Sequence, residues 1–168
     1  MIGSVVMMGV AGCGKSTVGA AVAQAEAMRL VEGDDHHSAA SRDKMSRGIA
    51  LTDADRDGWL TTLAGELAAH PQGIVLTCSA LRRAYRERLR APAPALRFVF
   101  LELTRDQALA RVTARASSHF FSASLVDSQF QTLESPVGEP RVLRVDATAP
   151  LPELQSRISA WLHATETP

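Results

Sequence analysis

At 168 residues with 46% hydrophobic side chains, the chain suits one domain with a single continuous core. Eighteen Lys+Arg balance eighteen Asp+Glu, so there is no overall charge excess to draw nucleic acid or anionic lipid, and neither is expected as a partner. No stretch approaches the ~18 apolar residues of a membrane span, the start leaves no room for a signal peptide, and Cys13 and Cys78 match no zinc spacing and fit a reducing compartment, the cytoplasm.

Residues 2–8 read as a buried strand, and 18–27 as a helix with Val18, Ala21, Val22 and Ala25 on one face. Residues 28–31 form a short second strand that ends in Glu32-Gly33-Asp34-Asp35, and 38–47 a short polar helix. Thr52 and Asp55 have the spacing of a capping box and open a helix on which Trp59, Leu63 and Leu67 share a face; Pro71 and Gly73 end it. Residues 74–78 are the third strand, 82–90 an Arg-rich helix and 98–103 the fourth strand. Thr104 and Gln107 make a second capping box, for a helix with Leu109 and Val112 inward. Residues 141–145 are the fifth strand, and Pro152 starts a last helix with the stripe Leu154, Ile158, Trp161, Leu162. This alternation predicts an α/β fold: a five-stranded parallel sheet with helices on both faces and ligands at the carboxyl ends of the strands.

Between the first strand and helix stands Gly9-Val10-Ala11-Gly12-Cys13-Gly14-Lys15-Ser16, followed by Thr17. It matches the phosphate-binding loop G-x-x-x-x-G-K-[ST] at every defined position, in the right strand-loop-helix context. The glycines let backbone N–H groups turn toward phosphate, and the helix N-terminus adds partial positive charge. Lys15 reaches the β- and γ-phosphates and the Ser16 hydroxyl ligates Mg²⁺, so ATP and Mg²⁺ are the expected cofactors.

Asp34 follows the second strand, on the loop's edge of the sheet. A carboxylate there can hold Mg²⁺ or accept the proton of an attacking hydroxyl, or it is a plain Gly-Asp turn residue. His36 and His37 lack metal-site spacing; His37 reads as a substrate-side polar group or a solvated loop residue. Arg82, Arg83, Arg86, Arg88 and Arg90 are either a solvated helix face or, through Arg82 and Arg86 one turn apart, a clamp for an anionic substrate with Ser79 beside it. Arg111 and Arg115 are either cations at a helix end or part of a lid over the triphosphate, spanning residues 111–121.

Together these blocks resemble the small P-loop gluconate kinases over nearly the whole chain. Beyond the loop, the likeness rests on Glu32-Gly33-Asp34-Asp35 with His37, Lys44-Met45-x-x-Gly48, and Leu51-x-Asp53-x-Asp55-Arg56-x-x-Trp59-Leu60. Cys78-Ser79-Ala80-Leu81, Tyr85-Arg86, His119-Phe120 and Ser128-Gln129-Phe130-x-x-Leu133-Glu134 complete it. Ser38, Ser41, Ala50, Gly58, Arg82 and Leu103 depart from the usual pattern, and the lid is one residue longer. The resemblance implies transfer of the γ-phosphoryl of ATP to the 6-hydroxyl of D-gluconate in a homodimer. Other readings are a related kinase of shikimate or another sugar acid, or a nucleotide-binding module without catalysis. In the kinase reading Lys15, Asp34, Arg111 and Arg115 are catalytic. Arg82 and Arg86 hold the sugar carboxylate, with Arg56, Lys44 and His37 next in line, and Ser79 and His119 complete the substrate side.

Overall fold

The computed structural model describes residues 2–115 and 123–164. Its core is a parallel sheet of β1 (Val5–Met8), β2 (Arg29–Glu32), β3 (Ile74–Thr77), β4 (Arg97–Glu102) and β5 (Val142–Asp146), in the order β2-β3-β1-β4-β5. The helices are α1 (Lys15–Ala25), α2 (Ala39–Ser46), α3 (Asp53–Ala69), α4 (Arg83–Arg90), α5 (Arg105–Ala114), α6 (Ala123–Thr132) and α7 (Leu151–His163), with a 3₁₀ turn at Gly33–His36.

Side-chain alternation divides the core into two layers. Val5, Met7, Val75, Val99, Leu101 and Val145 point to the face covered by α1 and α7. Val6, Met8, Ile74, Leu76, Phe98 and Phe100 point to the face covered by α3 and α4. The central strands are buried on both faces, which is why they read as unbroken apolar runs. Both capping boxes form: Thr52 accepts from the Asp55 N–H and Thr104 from the Gln107 N–H, and each helix partner returns a hydrogen bond.

The inward faces differ from expectation in two helices. In α1 the buried positions are Val18, Gly19, Val22 and Ala23, while Ala25 is exposed, because the helix starts at Lys15 and packs against both β3 and α7. In α5 Ala108 is buried and Leu109 only half-buried. Gly33 is required by close approach: a Cβ there would stand 2.1 Å from the Thr77 carbonyl oxygen. That contact draws the end of β2 against β3 and aims the next residue, Asp34, over the sheet edge.

Candidate active site

The loop after β1 wraps the N-terminus of α1. Gly14 is the N-cap at φ 92°, a left-handed backbone that glycine adopts without strain, and no side chain among the described residues caps the helix. Unsatisfied N–H groups of the first turn are therefore available to an anion. Lys15 folds back across the loop, and Nζ donates to the carbonyls of Gly9 at 3.0 Å and Val10 at 3.2 Å. Val10 and Cys13 are buried, and the Cys13 sulfur accepts a third, longer hydrogen bond from Lys15 Nζ at 3.8 Å.

Gly14, Lys15, Ser16 and Thr17 line one wall of a cleft of about 300 Å³; Asp34, His37, Arg56, Trp59 and Ser79 line another. The Ser16 hydroxyl donates to Glu32 Oε2 at 2.9 Å, and the Thr77 hydroxyl donates to the same oxygen at 2.6 Å. Glu32 thus links the helix of the loop to β2 and β3. The Asp34 carboxylate lies 3.5 Å from His37 Nε2. Enclosure in the cleft works to raise its pKa, but the His37 hydrogen bond and the charges of Lys15, His37 and Arg42 hold it below the usual carboxylate range. It is therefore ionised at neutral pH.

His37 is almost fully buried and stacks on Trp59, with ring centroids 4.2 Å apart. Trp59 is fixed in turn by its Nε1–H, which donates to the Gly33 carbonyl at 2.7 Å. His37 Nδ1 is buried with no hydrogen-bond partner among the described residues. Arg56 lies over the Tyr85 ring and donates to its hydroxyl, and that hydroxyl donates to Asp53. Ser79 lines the cleft while its carbonyl accepts the Gly9 N–H at 3.3 Å. Burial pushes the Cys78 thiol up to about 12, so it stays protonated and takes no nucleophilic part.

Several expected site residues stand elsewhere. Arg86 has no exposed surface; it pairs with Glu139 at 2.6 Å and donates to the carbonyls of Ala80 and Glu134. It is a buried structural ion and not a carboxylate clamp. Arg82 does not share its helical face, because it is the extended N-cap of α4, where it faces Asp53 at 3.8 Å. Arg111 stands beside the loop without lining the cleft: it donates to the Gly12 carbonyl at 3.0 Å and the Ala147 carbonyl at 3.1 Å, bracing the loop against the end of β5. Lys44 is bound to Asp55 at 2.8 Å and does not line the cleft. Arg115 lines the cleft at the end of α5. His119 and the lid segment 116–121 lie outside the described residues.

Sequence reading passed over Glu32 and Gln129. Glu32 had a signal, since an acidic residue ended the second strand one position before Gly33. Gln129 had none beyond its place in a motif; its Oε1 accepts the Ala11 N–H at 2.6 Å.

A phosphate loop and an ionised carboxylate facing one cleft, at the carboxyl ends of a parallel sheet, define a P-loop phosphotransferase. The AAA domain family model matches residues 5–140. A gluconokinase of Gluconobacter oxydans is 43% identical over 145 residues, covering 83% of this chain and 80% of the relative. A probable gluconokinase of Schizosaccharomyces pombe is 41% identical, covering 81% of this chain and 75% of the relative. The crystal structure of a gluconokinase from Sinorhizobium meliloti superposes with a TM-score of 0.87 at 44% identity, over 95% of this chain and 91% of that one. The chain belongs to the gluconokinase family of P-loop kinases.

Proposed function

We propose that this chain transfers the γ-phosphoryl of ATP to the 6-hydroxyl of D-gluconate, giving 6-phospho-D-gluconate and ADP. The observation that carries the reading is the single cleft shared by Lys15 and the loop with Asp34, His37 and Arg56. Family membership supports the choice of acceptor.

In this reading Lys15 exchanges the Gly9 and Val10 carbonyls for phosphate oxygens, and the loop N–H groups cradle the triphosphate. Asp34 orients the 6-hydroxyl and takes its proton as the new bond to phosphorus forms. With His37 Nε2 turned to Asp34, Nδ1 is left for a sugar hydroxyl. Arg56 takes over the role once expected of Arg82 and Arg86. It is the guanidinium on the acceptor side of the cleft, and a guanidinium fork suits a carboxylate. Arg115, which lines the cleft at the end of α5, adds a cation for ATP.

Ser16 Oγ and the carboxylates of Glu32 and Asp34 would be the oxygen donors for Mg²⁺, a hard cation otherwise held by water and phosphate. When bound, Mg²⁺ neutralises charge on the phosphates. The homodimer and the cytoplasmic setting belong to the same proposal; the free, buried Cys13 and Cys78 support a reducing compartment. A coupled ADP-release assay over sugar acids and polyols tests the function. Turnover that rises with D-gluconate is expected; ADP release that is the same with no acceptor, or higher with shikimate, contradicts it.

A further inference from the structure

The Ser128-Gln129 motif on α6 has no part in the mechanism above. Leu125, Ser128 and Gln129 stand at i, i+3 and i+4 on that helix and line the cleft together with Gly12, Gly14 and Lys15. Gln129 Oε1 accepts the Ala11 backbone N–H at 2.6 Å, from 118 residues away. A backbone N–H offers only a proton, so the amide must present its oxygen there. That fixes the end-for-end orientation of the side chain. Nε2 is left with two protons to donate.

The helix is also held in place without a ligand. The Glu134 N–H, just past its end, donates to the Leu81 carbonyl at 2.7 Å, and the Glu134 carbonyl accepts from buried Arg86 at 3.0 Å. The same guanidinium binds Ala80 and Glu139. Arg86 therefore joins the foot of α6 to the loop that carries Ser79, and sliding Gln129 away from the phosphate loop would strain a buried ion pair. A donor held this way needs no reorganisation during reaction.

We propose that Gln129 is a catalytic residue: Oε1 fixes the Ala11 N–H at the front of the loop while Nε2 donates to the transferring phosphoryl. The proposal rests on the phosphotransferase reading of this cleft. In the transfer, the bond from phosphorus to the β-phosphate oxygen breaks with its electron pair leaving on ADP. The acceptor oxygen forms the new bond, and its proton passes to Asp34 and on to solvent. Charge spreads over the three equatorial oxygens of the moving group. Lys15 and the loop serve the β-phosphate side, and a neutral amide adds a donor from α6.

The test is to titrate ADP and a non-hydrolysable ATP analogue into the full chain and its Gln129→Glu and Gln129→Ala variants, and to measure kcat with ATP and acceptor. The glutamate keeps an acceptor for Ala11 but offers no donor. Both variants are expected to keep ADP affinity and to lose at least about tenfold in affinity for the analogue, the worth of one hydrogen bond to a charged group. Turnover should fall roughly 10²-fold or more. A smaller change in the analogue-to-ADP ratio overturns the proposal. Equal losses for both nucleotides make Gln129 a brace only, and tighter analogue binding by Gln129→Ala makes it a plug; either overturns it as well. Retained ADP binding reports that a variant is folded, and if one variant fails to fold the other decides by the same ratio. Because the titrations use no sugar, a wild-type protein that ignores D-gluconate would refute the acceptor assignment and leave this ratio readable.

Discussion

Lys15 spans its own loop, and its ammonium donates to the Gly9 and Val10 carbonyls, which a triphosphate would replace, and to the Cys13 sulfur. Lys15→Ala should therefore abolish phosphoryl transfer and leave thermal unfolding essentially unchanged; normal turnover in a folded variant would contradict the loop's role. Asp34→Asn keeps the shape and removes the charge, so turnover should drop roughly 10²-fold or more with little change in acceptor affinity. A drop of only about two- or threefold, small beside a general base's share, would make Asp34 a turn residue. Arg56→Ala should raise the KM for gluconate at least ~30-fold, about 2 kcal/mol, and leave the KM for ATP nearly unchanged. An unmoved gluconate KM would put the carboxylate elsewhere. The loop and Asp34 were legible because their chemistry lies in consecutive residues after two strands. The fate of Arg86 was not, because its partner Glu139 lies 53 residues away and helical spacing gives no hint of it. Nor could spacing tell that Arg82 falls one residue before its helix, on extended backbone.

Secondary-structure elements with local signals were read correctly, and those without were not. The two capping boxes announced α3 and α5 because each pairs residues only three apart. By contrast, α6 fully buries only Leu125 and Val126, with Phe130 half-buried against the core among polar neighbours, and no capping signal marked its start, so it was not read as a helix. The start of α3 has a measurable consequence. The Lys44 ammonium and the Thr52 N–H hold the Asp55 carboxyl down to about 2. The unfolded group titrates near 3.9. Because the folded pKa is the lower one, this carboxylate's contribution to stability is complete above about pH 4 and is lost as pH falls toward 2. Asp55→Asn should flatten thermal stability against pH in that acid window, and an unchanged acid limb would contradict the pairing. Within α4, Arg86→Ala would leave buried Glu139 with Arg90, 2.9 Å away, as its remaining partner and would strip the Ala80 and Glu134 carbonyls of their donor. The expected cost, from one lost charge pair and two buried carbonyls left unsatisfied, is roughly 2–4 kcal/mol, read as a fall in Tm on the order of 10 °C. A variant with unchanged Tm would contradict the structural role given to Arg86.

The parallel sheet brings the turns after β1, β2 and β3 to one edge, although they are far apart in the chain. That convergence followed from the alternation of strands and helices, since parallel strands deliver their carboxyl ends together. Which side chains then face the cleft depended on packing, as with His37 held against Trp59 and Arg56 over Tyr85. At this scale the central claim is that one cleft holds both the triphosphate and the primary hydroxyl of a sugar acid, and phosphorus NMR of the reaction tests it most directly. With ATP, Mg²⁺ and D-gluconate, the wild-type chain is predicted to build up one phosphomonoester resonance in step with ADP, split into a triplet by the two protons of C6, and Lys15→Ala to produce none. Inorganic phosphate growing in its place, or a doublet from an ester on a secondary carbon, would contradict the account.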